Sequence, residues 1–383
     1  MTDVTVLVGT TKGAFLIVGT ADRQDWRLRG PFCDGWAINH VIGDPRSGVL
    51  WAGGGGEWSG AGVWRSADGG DSWTLSKLSD GSMDAWMRED PNTAQALGFM
   101  SSPPGPHTGV VEAIWSLSRV GDLVYAGGKP AQLFRSADNG ESWELVESLA
   151  QHRERESWNP GAAGLTLHTI LSAPDAPERI WLGISAAGVF ASEDGAESWE
   201  RRNRRSNAVA APAHPAGGDG QQIGFCVHNM VRAPGVGDLI YQQNHHGVFR
   251  SRDGGRSWDD ITAGLPSTFG FPVAVHPHDP QTLWVLPLNG DSAGRYPPGS
   301  AAAVWRSRDG GESWQAMTDG LPARDCFFTV LRQAMATDRG TPAGVYFGTN
   351  SGSVFASTDE GENWSEIARH LPTVLCVETL APA

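Results

Sequence analysis

Apolar residues recur at alternate positions through most of the chain, in short runs closed off by Gly, Pro, Asp or Ser. Residues 37–77 show the unit: AINHVIGDP, VLWAGG, GVWRS, an octapeptide, then WTLSK. Residues 225–261 repeat it as FCVHNMVRAP, LIYQQN, GVFRS, the octapeptide and WDDI. A period of two in short runs bounded by turn residues predicts four antiparallel strands per unit.

The octapeptide is the clearest repeat. Ser-x-Asp-x-Gly-x-(Ser/Asn)-Trp begins at Ser66, Ser136, Ser251, Ser307 and Ser357. A sixth copy begins at Ser192 with Ala196 in the glycine place, and a degraded seventh reads GTADRQDW from Gly19 to Trp26. The starts are spaced by 47, 70, 56, 59, 56 and 50 residues, one four-stranded unit each. Asp and Ser side chains accept and donate to backbone groups across a turn, glycine supplies positive φ, and the Trp opens the next strand. Asp68, Asp138, Asp194, Asp253, Asp309 and Asp359 are therefore expected to be structural.

Radial repetition of four-stranded sheets predicts an all-β, seven-bladed β-propeller. The blades are expected at 373–383 plus 4–29, 36–78, 109–147, 164–203, 223–262, 270–318 and 325–369, all in one domain spanning 1–383. The C-terminal run TVLCVETL (Thr373–Leu380) is expected to be the innermost strand of the N-terminal blade, which closes the ring without free sheet edges.

Composition narrows the function. The net charge of −14 argues against binding a phosphate backbone. The one basic cluster, Arg201, Arg202, Arg204 and Arg205, reads as a solvated loop. No apolar run reaches the length of a membrane helix and no leader pattern opens the chain, so a cytoplasmic protein without membrane contact is expected. Cys33, Cys226, Cys326 and Cys376 are too scattered for a disulfide framework or a zinc knuckle, and read as small buried hydrophobes. No motif for a nucleotide cofactor is present.

The octapeptides resemble the Asp-box, or BNR, repeats of bacterial sialidases, sortilin-type receptors and related propellers. Tyr241–Trp258, Gly264–Pro277 and Gly344–Gly352 are similar to one bacterial family of sialidase-like, BNR-repeat, glycosyl-hydrolase-like proteins. Many members of that family carry Glu-Pro where this chain has Lys129-Pro130. The resemblance implies a propeller and a hydrolase acting on a glycan or small polar molecule.

Long connections opposite the octapeptide turns are candidate site loops. They are 76–109, read as a structureless lid or binding loop, and 147–164, 201–224 and 286–303. Aligning the inner strands places Asn39, Glu112, His168 and His228 at one level, with His40, Ala113, Thr169 and Asn229 next. Two imidazoles and a carboxylate converging on the axis suit a divalent transition metal, zinc or iron, or acid–base work. Glu112, His168, His228 and His40 are thus the candidate catalytic residues, with His168, His228 and Glu112 as metal ligands. A passive polar tunnel fits the same pattern. Asn39, Glu57, Trp58, Lys129, Trp158, His245, Arg295 and Tyr296 are the candidate substrate-binding residues. His276 and His278 read as structural or solvated.

A true sialidase needs an arginine trio for the sugar carboxylate and a tyrosine nucleophile beside a glutamate. Tyr125, Tyr241 and Tyr346 occupy the strand-two position held elsewhere by Trp51, Trp181 and Trp284, a packing layer. Arg332 is the one arginine well inside a predicted inner strand. Sialidase activity is therefore not expected. Three readings remain: an enzyme, hydrolytic or metal-dependent, with a histidine-rich axial pocket; a non-catalytic scaffold for a protein partner; and a glycosidase pairing Glu57 or Glu112 with Asp325.

Overall fold

The structure, a computed structural model, describes residues 4–100, 102–161, 164–206 and 221–380. Seven four-stranded antiparallel sheets stand as the blades of one propeller. The innermost strands, in ring order, are Val374–Leu380, Ile38–Gly43, Ala113–Val120, Leu167–Ala173, Val227–Arg232, Gly270–Val275 and Met335–Thr337. Blade one is composite: Val374–Leu380 pairs with Thr5–Thr10, so the C-terminal end closes the ring.

The octapeptides build their turns as their chemistry dictates. Ser66 Oγ donates to Asp68 Oδ1 at 2.8 Å and accepts from Gly70 N, while Asp68 Oδ1 also accepts from Ser72 N at 2.9 Å. Asp138, Asp194, Asp253, Asp309 and Asp359 sit in the same web. Gly69 and Gly70 take φ of 70° and 93°, and Ala196, without glycine's freedom, is held at 75°. In the degraded copy the pattern starts at Thr20 and not at Gly19. Thr20 Oγ1 donates to Asp22 Oδ1 at 2.6 Å, and the turn is one residue shorter.

These turns also join blades. Trp51, Trp181 and Trp284, all fully buried, donate to the carbonyls of Asn139, Gly254 and Glu360 in the next blade's turn. Trp258 and Trp314 reach back to Arg202 O and Ile261 O of the preceding blade. At the closure, Arg23 of blade one pairs with buried Asp338 of blade seven at 3.0 Å, and Tyr346 donates to the same carboxylate at 2.6 Å.

The connection 76–109 differs from a structureless lid. It holds two helices, Ser82–Glu89 and Pro91–Ala96. Asp84 accepts from Gly81 N at the first helix's N-terminus, and Met87 and Ala94 are buried. The connection 201–224 lies largely outside the described residues, at 207–220. No helix among the described residues is long and apolar enough to cross a membrane.

Candidate active site at the axial mouth

Each chain path places the start of every inner strand, and the loops between strands two and three, on the face opposite the octapeptides. Near that start the inner strands carry a β-bulge. One extra residue breaks the register in blade one at Leu375, in blade two at Asn39, in blade four at His168 and in blade five at His228. In blade three the extra residue is Trp115, not Glu112. A bulged residue is unpaired and re-aimed; the bulged His168 and His228 reach the next blade, at Val227 O and Gly270 O. Glu112 lies three residues earlier, ahead of its strand and exposed, so it does not complete a set with the histidines.

The axis is crossed by the segment leading into blade seven. Asn229 of blade five donates to Arg332 O at 2.7 Å, and Gln333 donates to His168 O at 2.5 Å. A small cavity of about 80 Å³ beside Asn39, Trp115 and Arg332 lies at this level. A tunnel cavity of about 320 Å³, lined by His40, Thr169, Gln333 and Glu378, lies toward the octapeptide face.

The histidines divide by their partners. His168 is fully buried; its Nε2 is 2.9 Å from Val227 O and its Nδ1 2.9 Å from Thr169 Oγ1. Burial pushes its pKa down to about 3, so the ring is neutral: Nε2–H donates and Nδ1 accepts. Both nitrogens are consumed, which removes His168 as a metal ligand or proton carrier. His40 Nδ1 accepts from Leu117 N at 2.9 Å, which leaves Nε2–H facing Glu378 at 3.3 Å, inside the tunnel cavity. His40 is thus apart from His228 and its neighbours.

His228 is different. Its Nδ1 donates to Gly270 O at 2.6 Å, so Nε2 carries the lone pair, 3.7 Å from Cys226 Sγ. Burial, then the field of Arg332, hold its pKa well below the ordinary histidine value. His245 stacks edge-on at 5.4 Å between ring centroids, and its Nε2 lies 3.5 Å from Asp291 Oδ2. Cys226 is half-buried and not a core residue; burial raises its thiol pKa and Arg332 opposes that rise. Phe269 and Phe271 wall the cluster, at 5.3 and 4.7 Å from the His228 ring.

Two arginines border the cluster. Arg295 is held by Asp291 at 2.6 Å and stands 5.8 Å from the Phe271 ring centroid. Arg332 stands 5.1 Å from the same ring. Among the described residues its guanidinium makes no hydrogen bond or ion pair, and its Nε is buried without a partner. Burial lowers its pKa, Cys226 and Asp291 raise it, and Arg295 lowers it further. Arg332 precedes the inner strand of blade seven and is not inside it.

The remaining sequence candidates lie elsewhere. Tyr296 is half-buried and packs on exposed Phe327 at 5.1 Å, beside the cluster. Trp158 is buried between Phe190, His152 and Arg155, so it is core and not rim. Glu57 and Trp58 are exposed on the turn of blade two, and half-buried Lys129 lies by Glu112. Asp325, Glu57 and Glu112 are all exposed and come from three different blades, without the enclosed surroundings a carboxylate pair uses. The structure does not bring His168 and Glu112 together with His228; among the described residues the side chains grouped with it are Cys226 and His245, whose ligand atoms and that of His228 lie within 4.8 Å of one another. The readable signal was the closeness of Cys226 and His228 in sequence at the start of the inner strand Val227–Arg232. Arg332 and Asp291 arrive from other blades and had no such signal.

The chain is a seven-bladed β-propeller with distant likeness to hydrolases. No protein-family model matches it. The oligoxyloglucan-reducing end-specific xyloglucanase of Emericella nidulans is 22% identical over 228 residues, 51% of this chain and 25% of that protein. The chain thus spans a quarter of that relative's length. An ancestral GH74 enzyme superposes with a TM-score of 0.54 at 15% identity, over 86% of this chain and 38% of that one. The periplasmic gluconolactonase of Pseudomonas aeruginosa superposes at 0.56 and 12% identity over the whole of both chains. At these identities the solved structures speak to the fold.

Proposed function

We propose that the chain is a hydrolase whose reaction centre is this axial mouth, and that it takes a small polar molecule bearing a carboxylate or phosphate. Arg332 carries the reading. A guanidinium whose Nε is buried without an acceptor suits an anion from outside. Beside it, Arg295 adds a second cation over the same ring, and the neutral His228 ring borders the space. The sequence likeness to the xyloglucanase supports hydrolysis without naming a substrate. The turn geometry of Asp68 and its equivalents supports grouping the chain with Asp-box propellers, and four free cysteines suit a reducing compartment.

The test is calorimetric titration of the full chain with a sugar acid, a sugar phosphate and inorganic phosphate. One class binds the wild type, and Arg332→Met weakens it by at least about tenfold, the scale of one lost charged hydrogen bond. Equal binding by Arg332→Met, or no anion bound, contradicts the reading. Hydrolysis of an ester or glycoside of the bound class is then expected to fall in His228→Gln.

A scaffold role has one observation in its favour. Trp58, Leu97, Phe99 and Met100 are exposed apolar residues in and near the connection 76–109. On that reading a protein partner covers them, and replacing Leu97 and Met100 with Ser abolishes partner binding while Arg332→Met does not.

A further inference from the structure

We propose that Cys226, His228 and His245 bind one divalent transition-metal ion of the zinc class, leaving a coordination position open toward Arg332. The inference rests on ligand geometry and not on the hydrolase reading.

Three observations carry it. The first is distance. Cys226 Sγ and His228 Nε2 are 3.7 Å apart. Bonds of about 2.3 Å to sulfur and 2.0–2.1 Å to nitrogen at a tetrahedral angle put the two atoms about 3.6 Å apart. All three ligand atoms lie within 4.8 Å of one another. A small closing movement of His245 brings them onto one ion.

The second is the outer shell. Metal-bound imidazoles give their other nitrogen to a carbonyl or carboxylate, which fixes tautomer and ring. His228 does this through Nδ1 to Gly270 O at 2.6 Å. His245 has Asp291 Oδ2 at 3.5 Å. The backbones of the cluster are also tied, since His245 N donates to Cys226 O at 3.0 Å.

The third is the donor set and its surroundings. One thiolate and two imidazoles are borderline-soft ligands that favour zinc over magnesium or calcium. Phe269 and Phe271 pack on the imidazoles, with His228 buried and Cys226 and His245 partly open to solvent. Three protein ligands with an open position is the arrangement of catalytic and not structural zinc sites. A dication on one thiolate leaves positive charge, and Arg332 adds more. The open position is therefore suited to an oxyanion, the ligand class that Arg332 also requires.

The experiment uses the full chain without a histidine tag. Zinc is added in excess, removed by gel filtration, and measured by inductively coupled plasma mass spectrometry. About one ion per chain is expected, with Cys226→Ser and His228→Gln each retaining about a tenth of that or less. Asp291→Asn folds and retains metal but binds it about tenfold more weakly, the effect of a lost outer-shell partner. Cobalt substitution gives an independent readout: a thiolate-to-cobalt charge-transfer band in the wild type, absent in Cys226→Ser. A wild type that retains no metal, or Cys226→Ser that retains as much as wild type, overturns the proposal. Arg332→Met separates the two readings, because it is expected to keep the metal while losing the anion.

Discussion

At the residue scale, the six octapeptide carboxylates show how a local motif writes its own chemistry. Asp138, Asp194 and Asp309 have pKa values lowered to about 2, first by the hydroxyl of the Ser four residues on. Their unfolded value is about 3.9, so their contribution to stability is present above about pH 4 and is lost as pH falls from about 4 to 2. Asp194→Asn is expected to flatten part of that loss, read as melting temperature against pH. Ala196 occupies a left-handed position that glycine fills in the other five intact copies. Ala196→Gly is expected to stabilise the protein by about 0.5–1 kcal/mol in urea unfolding, relief of strain outweighing the added freedom of the unfolded chain. A destabilised variant would show that the turn draws on the Ala196 methyl for packing.

At the element scale, the sequence shows the strands plainly and their offsets poorly. Short apolar runs closed by turn residues, together with the octapeptide, locate four strands per blade, and the central strands such as Ile240–Asn244 and Leu283–Pro287 are buried on both faces between neighbouring blades. The level of each side chain in the tunnel depends instead on the bulges, and a single extra residue shifts which one faces the axis. That is why Glu112 appeared equivalent to His168 and His228 when Trp115 is the bulged residue of blade three. The helices Ser82–Glu89 and Pro91–Ala96 were hidden for another reason: each is short and buries few residues, so no long period marks it. The indole contacts between blades predict large effects. Trp258 is fully buried and donates to Arg202 O. Trp258→Ala is expected to cost about 3–5 kcal/mol in urea unfolding, from the cavity and the lost bond together. A cost under about 1 kcal/mol would mean that blades four and five do not depend on that ring.

At the scale of the whole molecule, the ring brings together residues that the chain keeps far apart. Cys226, His228 and His245 belong to blade five, Asp291 and Arg295 to the loop of blade six, and Arg332 to the approach to blade seven. Their meeting exists only if the ring closes. Closure rests on the C-terminal strand and on the Arg23–Asp338–Tyr346 group. Removing one member of a buried ion pair strands the other, so Asp338→Ala is expected to cost about 3 kcal/mol or more, with a double-mutant cycle to Arg23→Ala giving the pairwise part. The mouth at Arg332 is where a ligand is expected to go. Crystals soaked with a small oxyanion decide it. Difference density bridging Arg332 toward His228 is the predicted result; density confined to the tunnel between His40 and Glu378, with Arg332 untouched, would contradict it.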